Sequence, residues 1–517
     1  LVRDGWELLF GFENRRKIFQ IDSRFKFVVT VVSKAKPVAG APLQAAFMRL
    51  DTAELGDPRA FTLPVSPAQI RRFSPNTLSF MELRSSKDLA VAQKLYADHP
   101  LLGDLGLSYN REFDMKNDAE LWRGGGRDKL EAKGLLDPDS DTRDPRVRFA
   151  LWKAGWMPLL EGKHFWQFNP VYVGIRRRKG SAPLTTEGYA EALAKATASY
   201  LQKQKFIPIE RMVNRAKTSL EKDRLKAIKD GEPFAKGLLD YMGWLRPRLV
   251  FRDVARSTDQ RTYIATLVPP GPHGNKAPDI SIPNRSSAYM AGLLNSLVND
   301  WIIRRKVSAT LNKFYIETLP IPAPSPKLGD AIADLATQLC GVGFSPIAER
   351  AKRLEARLKL DALVAKLFGL DVRDLEHILL DPSAGAVGFH RLDGDLPEDW
   401  RQPKLIVAAY QRLLAVDLDT FMATPLGLAA PILAAIRPTL AMASPEGGWD
   451  GAWEEAKAMA ESPQEWDLFL GKEEAIEMAF GLERPAFSMA AEPSHTRDSY
   501  APPSPAPASL FDPEDLG

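Results

Sequence analysis

Three arginines stand near the bend of a predicted β-hairpin in the middle of the chain: Arg252, Arg256 and Arg261. Two short runs rich in β-branched residues flank a polar segment and predict the paired strands. These runs are 249–254 and 262–268. A guanidinium offers a planar fork of donors and stays charged at cellular pH, which suits phosphate or guanine. One hypothesis is therefore a nucleic-acid contact in which at least one of these arginines reads a base.

An alternative hypothesis gives these arginines a structural role. Asp253 and Asp259 lie in the same segment. Pairing of Arg252 and Arg261 with these two carboxylates would hold the turn of a solvated strand edge. The hairpin alone does not separate the two hypotheses.

The distribution of charge favours the first of them. The whole chain carries a formal charge of +3. Residues 163–261 contain 21 Lys and Arg against 10 Asp and Glu, whereas residues 442–517 contain 4 against 16. A cationic middle followed by an anionic end predicts a polyanion-binding body with an acidic appendage.

The densest basic run in the chain directly follows the apolar segment 171–175. Phosphate contacts are a common role of such runs, and a solvated loop is the alternative. With the arginines of the hairpin, this run makes up the predicted DNA-binding set. The set is Arg176, Arg177, Arg178, Lys179, Arg248, Arg252, Arg256 and Arg261.

The sequence contains no convincing catalytic or metal-binding motif. Asn169-Pro170-Val171-Tyr172 is close to the Asn-Pro-Pro-Tyr element of adenine methyltransferases, but it follows a polar, aromatic stretch where a buried strand is needed. Glu131-Ala-Lys133 reads as an ordinary charged segment, and 137–144 lacks the glycine and glutamate of a calcium loop. The histidines show no paired spacing, and Walker, dinucleotide-binding and nucleophile-elbow motifs are missing. We therefore predict no catalytic, cofactor-binding or metal-binding residue in this chain.

The single cysteine, Cys340, excludes an internal disulfide and fits a reducing compartment, so we expect a cytoplasmic protein. The most apolar long stretch, 426–443, is interrupted by Pro431, Arg437 and Pro438, which argues against a membrane span.

Periodicity predicts an α+β chain. Two strands are expected within 18–34, the second buried on both faces, with partner strands upstream of residue 1. Helices are expected near 86–97, within 185–229, at 286–307 and 346–368, and later at 398–416 and within 449–480. The Pro-rich stretch that begins at Leu319 predicts a stiff linker, and the composition beyond residue 484 predicts a disordered tail.

Several segments, read in order, resemble the part of type IIG-like adenine-specific DNA methyltransferases that follows their catalytic motif. They are 12–19, 24–30, 111–118, 160–164, 251–262, 297–307, 319–322 and 360–370. The first two resemble the last strands of the methyltransferase sheet, and the next three resemble the target-recognition region. The remaining segments resemble the helix, linker and helical tail that close it, so that the resemblance covers about residues 1–380.

The resemblance, together with the composition of the C-terminal part, predicts five regions. They are the end of a methyltransferase sheet (1–50), a mixed α/β target-recognition domain (51–325), a helical closing segment (326–395), an acidic helical region (396–483) and the tail (484–517). It also implies that the chain begins after the Asn-Pro-Pro-Tyr motif and the glycine-rich loop for S-adenosylmethionine. That cofactor would serve the parent enzyme, and this chain alone would bind none.

The implied function is DNA target recognition for methyl transfer from S-adenosylmethionine to adenine. The implied partners are double-stranded DNA, an upstream methyltransferase domain and other subunits of a restriction or phage-defence system. One alternative is a stand-alone DNA-specificity or scaffold subunit, which would lack a continuous upstream reading frame with the catalytic motifs. A general nucleic-acid-binding or RNA-binding protein is the other, and sequence-independent binding would favour it.

Overall fold

The computed structural model describes residues 6–23, 25–34, 41–175, 186–307, 309–341, 346–347, 349–435 and 447–481. These residues form small sheets and a helical C-terminal part, which confirms the predicted α+β class. The basic run 176–179 and the predicted tail 484–517 lie outside the described residues.

The first sheet is mixed and four-stranded. Its strands are β1 (Trp6–Glu13), β2 (Lys26–Val32), β3 (Leu43–Arg49) and β4 (Leu63–Val65), in the spatial order β2-β1-β3-β4. Of the two strands predicted within 18–34, only the second is present. Residues 14–25 instead form a connection, because the Asn14 side chain bonds backbone groups along it, including the carbonyls of Phe19 at 2.9 Å and Asp22 at 3.2 Å.

β2 is an edge strand whose apolar side chains are largely exposed. Among the described residues it pairs with β1 alone. Val28 is 59% exposed and Val31 is 45% exposed. The prediction that this run is buried on both faces is therefore wrong for the chain as described, and the predicted upstream partner strands stay a prediction.

The other strands form two further sheets. They are β5 (Ser108–Asn110), β6 (Trp156–Pro158), β7 (Phe206–Pro208), β8 (Arg248–Phe251), β9 (Ala265–Val268) and β10 (Asp279–Ser281), in the spatial orders β5-β10-β8-β9 and β6-β7. The predicted hairpin is present as the antiparallel pair of β8 and β9. Both strands are shorter than predicted, so residues 252–264 form a long connection between them.

Eighteen α-helices occur in the described residues, and none is both long and apolar enough to cross a bilayer. They are α1 (Pro67–Phe73), α2 (Ser86–Tyr96), α3 (Arg127–Ala132), α4 (Pro145–Lys153), α5 (Thr186–Gln202), α6 (Ile209–Asp230), α7 (Ser287–Leu294), α8 (Leu297–Arg304), α9 (Lys313–Ile316), α10 (Pro326–Cys340), α11 (Arg350–Leu367), α12 (Val372–Leu380), α13 (Gln402–Ala415), α14 (Leu418–Ala423), α15 (Ala430–Ala435), α16 (Gly448–Ala458), α17 (Pro463–Phe469) and α18 (Glu473–Phe480).

The helix predicted at 286–307 is two helices, α7 and α8. The break falls at Asn295, whose side chain accepts from the backbone N–H of Ala265 and donates to its carbonyl, both at 2.9 Å. Ser296 then caps α8 by accepting from the backbone N–H of Asn299 at 3.2 Å. Residues 295 and 296 thus interrupt the helix, and Asn295 binds the edge of β9.

The largest core joins the hairpin to the helical C-terminal part. α10 packs on α7, and α11 packs on α8, α10 and α13. The predicted linker lies inside this core, because Ile321 is fully buried and its backbone N–H donates to the Pro100 carbonyl at 2.8 Å. Packing is therefore continuous across residue 325.

The predicted acidic region 396–483 packs in two places. Ile406, Tyr410 and Phe421, from α13 and α14, belong to the large core. α16 and α17 instead cover α4 through an aromatic cluster, and α18 packs near Trp244. The acidic helices from α16 onwards therefore pack on residues of the segment 51–325.

Candidate nucleic-acid interface

Arg248, at the start of β8, is buried in an ionic network. Its Nη1 atom lies 3.0 Å from Glu112 Oε1 and 3.2 Å from Asp279 Oδ2, and His273 Nε2 lies 2.8 Å from the same Asp279 atom. Burial acts to raise the pKa of Asp279, but the hydrogen bond from His273 and the charge of Arg248 outweigh it and hold that pKa below its ordinary value. These contacts give Arg248 a structural role in the sheet, and its predicted contact with DNA stays a prediction.

Arg261 is also buried and paired. Its Nε atom lies 2.8 Å from Asp300 Oδ2, and the fully buried Asp300 also accepts from Arg304 at 3.1 Å and from the backbone N–H of Thr262 at 3.1 Å. The alternative hypothesis paired Arg261 with Asp259, but the partner is Asp300 on α8. The charge of Arg261 is therefore compensated inside the protein, and its predicted contact with DNA also stays a prediction.

Asp253 forms a small cluster with two cations from other segments. Its carboxylate is fully buried and lies 3.3 Å from Arg111 Nη2 and 3.1 Å from Lys276 Nζ. The side chains of Arg111 and Lys276 remain 36% and 51% exposed. The predicted pair of Arg252 with Asp253 does not form. Sequence reasoning missed both cations as site residues, although Arg111 lies in a segment that carries the family resemblance.

Arg252 is held by aromatic rings. Its guanidinium carbon lies 4.7 Å from the ring centre of Trp166, 5.6 Å from that of Tyr172 and 5.7 Å from that of Phe165, whose carbonyl accepts a hydrogen bond from Nη2. Burial lowers the pKa of Arg252 to about 10, so the side chain stays charged at neutral pH. Within the described residues no carboxylate pairs with it.

Trp166 and Tyr172 form a partly exposed aromatic pair beside Arg252. Their ring centres are 5.4 Å apart and the rings are stacked. The chain continues from Tyr172 to Ile175, after which the predicted contacts Arg176, Arg177, Arg178 and Lys179 lie outside the described residues. In the sequence, Tyr172 therefore precedes the densest basic run by four residues.

Arg256 is exposed at the far end of the connection. No ion pair of its side chain is present in the described part of the chain. It lines a cleft of about 720 Å³ together with residues of the β1–β2 connection. The lining includes Arg15, Asp22, Phe25, Lys26, Thr258 and Ala386. The cleft thus lies between the β8–β9 connection and the first sheet.

Four cations lie on the β8–β9 connection or pair with a carboxylate on it, and we call this set the cationic face: Arg111, Arg252, Arg256 and Lys276. Arg252 and Lys276 both lie close to Gly162. A Cβ added at this glycine would be 2.6 Å from the Lys276 carbonyl oxygen and 3.8 Å from Arg252 Cγ. The stretch that leads to Arg256 pairs with residues 309–311. Close backbone packing therefore supports the whole face.

Asn169 has a local structural role. It is buried, its backbone pairs with that of Trp166 in both directions, and its side-chain oxygen accepts from the backbone N–H of Val171 at 3.1 Å. The amide thus holds a tight turn that positions Tyr172.

One group of metal-type ligands occurs in the described part of the chain: Asp88, His377 and Asp381. Arg84 lies 3.2 Å from each of the two carboxylates, and Arg305 lies 3.5 Å from Asp88. Burial acts to raise the pKa of Asp88, but these cations and the hydrogen bond from His377 lower it well below its ordinary value. Because the charges are already compensated by arginine, we assign this group to the fold.

No protein-family model and no curated protein matches the chain. Among solved structures, the chain is similar to the type IIL restriction-modification enzyme MmeI in complex with DNA, with a TM-score of 0.31 and 11% sequence identity. The alignment covers 80% of this chain and 46% of that enzyme. The chain thus spans about half the length of MmeI, and a similarity at this level establishes neither a family nor an activity.

Proposed function

We propose that this chain recognises duplex DNA, as the C-terminal part of a site-specific adenine DNA methyltransferase. The cationic face is the observation that carries the proposal of DNA binding. The proposal that adenine is the target base and S-adenosylmethionine the methyl donor rests on the resemblance of segments such as 111–118 and 251–262 to the recognition region of those enzymes.

The face combines one arginine that is restrained by neighbouring rings with cations that are more exposed, and this combination suits DNA recognition. Phosphate contacts position a protein on DNA, and base contacts provide specificity. Three aromatic rings restrain Arg252, which suits a bidentate contact to guanine. Arg256 and Lys276 are more exposed and suit phosphates, whose position varies less with sequence. We therefore assign base reading to Arg252 and backbone contacts to the other three cations.

The buried carboxylate of Asp253 supports this division of roles. It lies beneath Arg111 and Lys276 and leaves this cluster with one net positive charge. Asp253 fixes the position of the two cations, while their exposed donors remain open to a phosphate oxygen. A duplex on the face would replace water at these donors without breaking the pairs beneath them.

The edge strand β2 supports the proposal of a further methyltransferase domain. An exposed apolar edge strand readily accepts another strand, and soluble proteins generally cover or charge such edges. Strands of that domain would pair with β2 and cover Val28 and Val31. S-adenosylmethionine and the catalytic loop would belong to that domain, across the cleft from Arg256.

The same edge favours a second candidate function. A separate methyltransferase or nuclease subunit would also cover β2, in which case this chain would be a DNA-specificity subunit. The sequence immediately upstream of Leu1 separates the two, because only the first predicts a continuous frame with an Asn-Pro-Pro-Tyr motif.

The test of DNA recognition is selection from a randomised duplex pool with the full chain, followed by titration of the selected site. We expect an enriched sequence, and weaker binding when Arg256→Ala and Lys276→Ala are combined. The double variant Lys352→Ala and Lys366→Ala, on α11, is the charge-matched control and keeps full affinity. No enriched sequence, or equal losses in both double variants, contradicts the proposal.

A further inference from the structure

Helix α6 has an anchored first half and a more exposed second half, in which Ala227 is buried. In the first half Met212 and Ala216 are buried, and Arg215 Nη1 lies 2.7 Å from Asp118 Oδ1. Arg211 donates to the carbonyls of residues 120, 121 and 123. At 1.5 Å per residue, the second half from Lys217 to Asp230 extends about 21 Å further. The helix ends at Gly231, which adopts φ +68°.

The second half exposes five cations: Lys217, Lys222, Arg224, Lys226 and Lys229. None of them forms an ion pair within the part of the chain that the structure describes. Of the nearby carboxylates, Asp223 accepts a hydrogen bond from Tyr241 at 2.7 Å. Unlike Arg248 and Arg261, these cations are exposed, and residues 217–230 carry five positive against three negative charges.

Two large apolar side chains lie among these cations. Leu225 is 57% exposed and Ile228 is 66% exposed. At helical spacing, Lys222 and Lys229 lie one turn before and after Leu225, and Ile228 lies next to it. A solvated face requires only the charged residues, so the exposed apolar pair indicates a partner that is both anionic and partly apolar.

The base of α6 is continuous with the cationic face. Asp118, which anchors Arg215, belongs to the segment that begins at Asp114. Asp114 accepts from the Asn275 side chain at 2.6 Å, and Asn275 precedes Lys276 of the cationic face. The helix thus extends from the Lys276 side of the candidate interface.

We propose that the second half of α6 binds the duplex that flanks the recognised site. The inference rests on the proposed function and adds a second contact region to it. A DNA groove offers phosphates along both edges and apolar thymine methyl groups on its floor, which matches lysines around Leu225 and Ile228. The exposed length of about 21 Å corresponds to about six base pairs.

The test measures affinity for the selected site with short flanks and with flanks about ten base pairs longer on each side. The wild-type chain should bind the longer duplex more tightly. Leu225→Ser with Ile228→Ser should bring the ratio of the two dissociation constants close to one. Lys222→Ala with Lys229→Ala should lower the salt slope on the longer duplex by about two.

The charge-matched control is again Lys352→Ala with Lys366→Ala, which should behave as the wild-type chain. Equal melting temperatures confirm that the α6 variants are folded. Specific binding that shows no dependence on flank length, or no response to either α6 variant, overturns this inference and leaves the proposed function standing. If the wild-type chain binds none of the duplexes, the proposed function is overturned instead.

Discussion

Arg248 and Arg261 differ from Arg252 and Arg256 in what surrounds their guanidinium groups. The first two meet the buried carboxylates of Asp279 and Asp300. Arg252 meets aromatic rings, and Arg256 faces a cleft. The residue type is the same in all four cases, so the partner decides whether an arginine supports the fold or remains available to a ligand.

The largest expected effect concerns Arg261. Replacing Arg261 by Ala leaves the buried Asp300 with one guanidinium fewer, and breaking a buried pair costs about 3 kcal/mol. We expect a clear fall in the melting temperature, measured by calorimetry. Arg256→Ala, the exposed control on the same connection, should have the same melting temperature as the wild-type chain. Equal melting temperatures of the two variants would erase the distinction between the buried and the exposed arginines.

The next effect concerns base reading by Arg252. Its guanidinium is fixed by three rings, so Arg252→Ala should relax discrimination at one base pair by about 1–3 kcal/mol. Selection from a randomised duplex pool with the full chain measures this change. An unchanged consensus, together with a lower melting temperature, would place Arg252 with the structural arginines.

A smaller effect is expected for Arg256, which we assign to a phosphate. Arg256→Ala should weaken binding to all sequences alike and reduce the salt slope by about one. Titrations of the selected site and of an unrelated duplex at several salt concentrations measure both quantities. A loss confined to the selected site would instead show that Arg256 reads a base.

The smallest effect is the response of the buried network to acid. The folded pKa of Asp279 is below its ordinary value, so this group stabilises the protein above its unfolded pKa of about 3.9, and that stability is lost as the pH falls further. Denaturation followed between neutral pH and pH of about 3 should show this loss in the wild-type chain. Asp279→Asn should be less stable at neutral pH and show a smaller loss in acid, whereas Arg256→Ala should follow the wild-type curve.

Much of the element order follows from local pattern. The hairpin, the helix near 86–97 and the helices within 185–229 were predicted because strand and helix periods depend on neighbours in the chain. The helix at 286–307 was predicted as continuous, but Asn295 breaks it to bind Ala265, which is 30 residues away. No local pattern carries that requirement.

The candidate site was predicted in part for the same reason. The charge of residues 163–261 and the position of the hairpin are properties of the sequence. The partner of each arginine is a property of the tertiary structure, since Arg248 meets Asp279 across 31 residues and Arg261 meets Asp300 across 39. Pairing with a buried carboxylate assigns Arg248 and Arg261 to the fold, whereas Arg252 lies among aromatic rings and Arg256 is exposed. The sequence therefore located the cations, and only packing decided which of them pair with buried carboxylates.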